Sequence, residues 1–254
     1  MWEFSLNFRS ENFEIAKYVF SALTVPTSNM GGFVTSHEDN GNISILMAVE
    51  DEFKGKIQSY LSNVIIEVIC TKFKSDFLNK FLALPLQDKI GLFAFKKALL
   101  NFDRETDRYI IKRALSFQKS LYIESFYAFK LKPLQDKWEE LVCLSNENRD
   151  YLVSKESFID LLKFLVDNLD ICEDEISVVK EDDGYRIFSE YSNFYSDRLI
   201  SEESVVSSVI DLSPQKINLF FKESSSATAL LERIFAERII INQEKSNVKQ
   251  FKLS

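Results

Sequence analysis

The chain has one histidine, His37, in 254 residues. A single imidazole excludes an HExxH zinc helix and a His-rich metal cluster, and with His37 beside a turn it removes the core of a His-Asp triad. Cysteine is nearly as scarce. Cys70, Cys143 and Cys172 are far apart and odd in number. They form no CxxC, so the usual structural-zinc spacing is missing, and they read as reduced, mostly buried thiols. Glycine (6) and proline (4) are few, which excludes a loop-rich fold. No GxGxxG or GxxxxGK[ST] occurs, so the standard dinucleotide and triphosphate loops are absent. No apolar run approaches the length of a membrane span. The start, MWEFSLNFRS, has no basic n-region, so a cytoplasmic protein is expected.

What is abundant is phenylalanine, 23 residues, within a composition 46% hydrophobic and 28% charged. Many large apolar groups and few breakers point to long helices with aromatic packing. The net charge of −8 disfavours nucleic acid and anionic membranes as partners. It is unevenly spread. Residues 1–52 carry 2 basic and 8 acidic groups (−6), residues 53–172 carry 19 and 16 (+3), and residues 173–254 carry 10 and 15 (−5).

The pattern predicts an α+β protein in three pieces. Residues 1–52 form a small α/β piece: Trp2, Phe4, Leu6 and Phe8 alternate with polar residues as in a half-buried strand. A helix follows from Ser10 to about Leu23, ended by Pro26 and Gly31-Gly32. Two strands then flank the Asn40-Gly41 turn, giving βαββ. Residues 53–172 form a helical block. Its first helix repeats apolar residues at threes and fours from Ile57 to Phe81 and is closed by Pro85. Further helices are expected over about Leu86–Leu100, Asp103–Phe117 and Leu121–Leu131, with Pro133 kinking the last or starting Leu134–Leu144, and another from Ser154 to near Asp170.

Residues 173–254 return to α/β as ββαβαβ. Strands flank Asp182-Asp183-Gly184, Ser201 caps a helix, and Lys216–Phe221 reads as a parallel strand buried on both faces. A helix and the strand Ile239–Ile241 follow, and the polar tail after it is expected to fray.

Chemistry-bearing residues are sparse. Ser224, Ser225 and Ser226 open a helix at the carboxyl end of the central strand, where an α/β sheet binds anions. An N-cap with spare serines is the preferred reading of them, and Glu223 beside the loop weighs further against an anion. The acidic groups Glu173-Asp174-Glu175 and Glu181-Asp182-Asp183 lie at opposite ends of one strand, too far apart for a single metal. Lys97, Arg104, Arg108 and Lys112 form a cationic stripe only if one helix runs through Asn101-Phe102-Asp103, and acids are interspersed.

Several segments carry a family resemblance. ESVVSSVIDLSPQKINLFF (203–221) and LLERIFAERIII (230–241) resemble the C-terminus of the YtxC family of sporulation proteins. FIDLLKFLVD (158–167) with EISVVKEDDGYRIF (175–188) fits the stretch before it. YLSNVIIEVI (60–69) and YIESFYAFKLKPLQDKWEELV (122–142) fit its helical middle. The resemblance covers about residues 55–242 and implies a sporulation-associated protein of endospore formers. It brings no catalytic residue, metal or cofactor. The function expected is therefore a non-enzymatic interaction or regulatory role through a protein partner or self-association. A nucleotide- or phosphate-binding role of Ser224–Ser226 is the alternative.

Overall fold

The structure is a computed structural model that describes residues 1–83, 88–147, 154–189 and 198–242. The chain divides into two compact units, one of Met1–Phe81 with Glu105–Cys143, the other of Leu82–Arg104 with Leu144–Ser254. The helical stretch of the sequence thus contributes to both.

In the first unit, β1 (Trp2–Arg9), β2 (Phe33–Asp39), β3 (Asn42–Val49) and β4 (Ser120–Tyr122) form one sheet in the order β2-β3-β1-β4. β3 runs antiparallel to both β1 and β2, and β4 runs parallel to β1. The expected alternation holds: Trp2, Phe4, Leu6 and Phe8 are all buried and face the helices with Ile43, Ile45 and Met47. α1 (Phe13–Ser28) runs past the expected stop at Leu23 and contains Pro26. The proline costs the helix one backbone bond near its end, where the last turn has little left to lose. The chain then turns back through Gly32, where a Cβ would stand 2.3 Å from the Ala48 carbonyl.

The long periodic stretch is helical throughout but not uniform. α2 (Lys54–Val68) passes into a π turn (Ile69–Phe73) and then α3 (Lys74–Phe81). One extra residue in the turn shifts every later side chain, so Leu78 and Lys74 face inward while Phe81 is exposed. The expected closure at Pro85 lies outside the described residues. Leu121–Leu131 departs most from expectation. Its start is the strand β4, which adds to β1, and only then come a short helical turn α6 (Ile123–Ser125) and a second π turn (Phe126–Lys130). Pro133 starts a new helix rather than kinking an old one, in the first turn of α7 (Lys132–Glu147).

α4 (Lys89–Asn101) and α5 (Arg104–Ala114) are separate helices. Between them Phe102 is extended and Asp103 takes a positive φ of 53°, so Asp103 sits in the break.

In the second unit, β5 (Glu173–Glu181), β6 (Gly184–Ser189), β7 (Pro214–Phe220) and β8 (Ile239–Asn242) form the sheet β6-β5-β7-β8. β5 and β6 are a hairpin around Asp182-Asp183, and β7 is parallel to β5 and β8. With α9 (Glu202–Leu212) before β7 and α10 (Ser226–Phe235) after it, the order is the expected ββαβαβ. β7 is interior, as expected, but only one face is fully buried. Ile217 and Leu219 join Ile176, Val178 and Ile187 in the core, whereas Lys216, Asn218 and Phe220 are half-buried. The second face is polar because the Glu175 carboxylate holds Lys216 (3.0 Å) and Asn218 on the neighbouring strand. α4 and α8 (Lys155–Asp167) cover α9 and α10, with Phe95 against Phe158 at 5.7 Å between ring centres. The tail expected to fray, residues 243–254, lies outside the described residues.

Candidate functional site

The serine loop is a helix cap. Ser225 Oγ accepts the Thr228 amide at 3.3 Å and Thr228 Oγ1 accepts the Ser225 amide at 2.7 Å, a reciprocal capping box on α10. Ser225 Oγ also lies 2.5 Å from the Tyr185 hydroxyl. Ser224 Oγ lies 3.3 Å from Thr228 Oγ1, and Ser226 is exposed. A carboxylate of the same unit already stands at this helix end: Glu202 Oε1 accepts the Ala227 amide at 3.3 Å. The positive end of the helix dipole therefore faces a negative group supplied by α9. Burial raises the Tyr185 phenol, the Glu202 charge adds to that, and the Ser225 bond opposes it.

The other flagged residues stay apart. Glu173 is buried and accepts the Ser189 hydroxyl at 2.7 Å, Glu175 pairs with Lys216, and Glu181 pairs with Arg186 at 2.9 Å. Among the described residues no three His, Cys, Asp or Glu side chains group as a metal site. The cationic stripe needs a continuous helix and does not form. Lys97 on α4 pairs with Asp211 at 3.2 Å, and Arg108 on α5 lies between Glu67 and Glu105. Cys70 is buried, whereas Cys143 and Cys172 are exposed, against the expectation of mostly buried thiols. Burial and nearby acids push the Cys172 thiol up, against the pull of Arg104, so it is a poor nucleophile. Among the described residues no helix is long and apolar enough to cross a membrane.

Two arrangements emerge that residue patterns did not mark. The first is a buried charge knot in the first unit. Asp107 on α5 is 0% exposed and Lys74 on α3 is 1% exposed. Asp107 Oδ2 accepts Lys74 Nζ at 2.8 Å and Trp138 Nε1 at 3.2 Å, and Oδ1 accepts Lys137 Nζ at 2.7 Å. The Lys74 ammonium also sits 5.8 Å from the centre of the Trp138 ring. Burial lowers the Lys74 amine, and Asp107 opposes the shift. Asp107, Lys74 and Trp138 are buried and Lys137 reaches them from the half-buried rim, so the knot ties α3, α5 and α7 together. Only the π turn, invisible to a helical count, turns Lys74 inward.

The second is the uncovered face of the first sheet. Helices cover one side; on the other, register aligns Phe33, Ala48 and Glu3 in one row and Thr35, Leu46, Ser5 and Ser120 in the next. His37, Ser44, Asn7 and Tyr122 make the third row, where Asn7 Oδ1 accepts the hydroxyls of Ser5 (3.0 Å) and Ser44 (2.7 Å). Large apolar groups face outward here, with Phe33 58%, Leu46 42% and Tyr122 51% exposed. Between Phe33 and Phe117, over Leu46 and Ala48, lies an open groove of about 680 Å³ with Glu3, Asp51 and Lys119 at its rim. His37, the one imidazole, lies exposed on β2 in the third row of this face. An apolar strip rimmed by charge and open to solvent suits recognition of another surface.

The chain matches no protein-family profile, no curated protein and no solved structure.

Proposed function

We propose that this protein is a non-enzymatic interaction or regulatory protein of the cytoplasm, acting in sporulation as the resemblance to the YtxC family implies. Its docking surface is the uncovered face of the first sheet. The observation that supports this reading most is the outward display of Phe33, Leu46 and Tyr122 on a regular sheet. A monomer has no packing reason to place three large apolar groups on one such face, and a partner gives them one. The test is purification of the tagged protein from sporulating cells beside a Phe33→Ser, Leu46→Ser variant. A stoichiometric complex held by the wild type and lost by the folded variant supports the reading. A free monomer from both sinks it.

The second reading is a phosphate or nucleotide site at Ser224–Ser226, favoured by the α10 N-terminus following a parallel strand. Glu202 already occupies that helix end, which weighs against it. On the capping account, Ser225→Ala costs about 1 kcal/mol with no ligand present, while Ser226→Ala costs little. A thermal shift with phosphate or nucleotides that both substitutions abolish would establish the second reading instead.

A further inference from the structure

The free edge of β2 says what kind of partner fits. Asn40 and Gly41 both have positive φ, 48° and 77°, which makes a two-residue turn of the type that closes on a hydrogen-bonded pair, here Asp39 and Asn42. Alternation along the ladder then directs Phe33, Thr35 and His37 toward β3. The backbone N–H and C=O groups of Val34, Ser36 and Glu38 point outward, at the end of the sheet order. No hydrogen bond to those groups comes from any described residue. Natural edges are guarded by Lys, Pro or bulges. β2 has no Lys, Pro or bulge: it pairs over seven unbroken rungs, and the acids it carries, Glu38 and Asp39, lie at its turn end.

Charge selects among occupants. All eight acids and both bases of residues 1–52 are exposed, so this stretch carries −6, while the rest of the first unit, residues 53–81 and 105–143, carries 12 basic and 8 acidic groups. Glu38 and Asp39 stand on β2 itself, at its turn end, while the adjoining groove balances Glu3 and Asp51 with Lys54, Lys119 and the Met1 ammonium and adds no net acidity. A second copy added antiparallel would set Glu38 and Asp39 of one strand beside Val34 and Phe33 of the other, so self-pairing offers these acids no cation. A cationic strand meets complementary charge along the same edge. Phe33, exposed at the start of the edge strand, offers apolar contact to a strand whose residues alternate.

We infer that β2 accepts an extended segment of another protein, basic and apolar in alternation, as a fifth strand of the first sheet. This rests on the interaction reading above and names the partner's chemistry at that surface. The probe is an alternating Lys-Val peptide of about eight residues, with a Glu-Val peptide and a Lys-Val peptide carrying a central proline as controls. Amide NMR of the full chain is expected to show shifts and slowed hydrogen exchange at Val34, Ser36 and Glu38. Affinity is expected to fall about tenfold or more for either control and to weaken with salt.

Ser36→Pro removes an outward donor and leaves the ladder to β3 whole, so it abolishes binding in a folded protein. If that variant does not fold, Glu38→Lys with Asp39→Lys serves, and it is expected to switch preference to the Glu-Val peptide. Shifts elsewhere, equal binding of the acidic peptide, or a dimer of the chain dissolved by Ser36→Pro would overturn the inference. A cellular complex that survives Ser36→Pro but is lost with Phe33→Ser, Leu46→Ser would leave the interaction reading standing and remove only this one.

Discussion

At the scale of single residues the deciding feature is Asp107. Its two oxygens satisfy two lysines and an indole in a site closed to water. Removing the charge takes from the buried Lys74 the carboxylate that opposes its desolvation, so Asp107→Asn is expected to cost about 3–5 kcal/mol in urea unfolding. Lys74→Met leaves Asp107 held by Lys137 and Trp138 and should cost less. In the double variant the losses should fail to add by about 1–3 kcal/mol, since the two residues touch. Additive losses would mean that the pair contributes nothing as a pair.

The same knot sets the alkaline behaviour. Lys74 is lowered by burial from 10.5, so between its folded value and 10.5 the unfolded chain holds a proton that the folded chain has released. Stability therefore rises with pH in that window. Tyr127 acts oppositely. Burial, with the Asp76 charge adding, pushes its phenol from 10.0 up to about 12, so its contribution is whole below pH 10 and is lost toward pH 12. Urea midpoints from pH 7 to 12 should lose the rise in Lys74→Met and the fall in Tyr127→Phe. Curves that superimpose on the wild type would refute both assignments.

At the scale of elements, the π turn Ile69–Phe73 explains how a lysine enters the core. A π turn is an α-helix with one residue inserted. Deleting the exposed Lys72 should restore a plain helix and leave α3 facing as it does, with Lys74 still opposite Asp107. The expected cost is about 1–2 kcal/mol, far below that of a deletion rotating a regular helix by a full residue and emptying its core contacts. Loss of folding would show that the turn itself is required.

This turn also shows where the sequence was legible. Alternation in Trp2–Phe8, the Asn40-Gly41 turn and the apolar run around Ile217 are local signals, and each produced the element it announced. β4 is only three residues long and is a strand because β1 offers a parallel edge, a fact fixed more than a hundred positions away. Asp107 was equally hidden: among Asp103, Glu105 and Arg108 it reads as one of a solvated set, until the fold turns it inward. The uncovered sheet face could have been suspected from Phe33 and Leu46 standing at alternate positions with the polar Thr35 and Ser44 on their own strands. Confirming it needed the sheet order.

At the scale of the whole chain, the two units are each assembled from separate stretches. The second sheet with α9 and α10 lies within residues 173–242, a continuous stretch, yet its helices are covered by α4 and α8 from earlier in the chain. The contact is close. Lys89 of α4 pairs with Glu203 of α9 at 3.6 Å, and Arg233 of α10 pairs with Glu156 of α8. Cut at residue 173, the sheet keeps its strands and both crossover helices but uncovers the residues of α9 and α10 that pack against α4 and α8. At about 25 cal/mol per Å² of apolar surface, uncovering these residues outweighs the few kcal/mol by which a domain of that size is stable. Residues 173–242 alone are therefore expected to give collapsed, poorly dispersed amide spectra, and supplying residues 82–104 and 144–172 on the same chain should restore dispersion. A well-dispersed spectrum from the short fragment would place the folding unit in the strands and crossovers alone and make α4 and α8 dispensable cover.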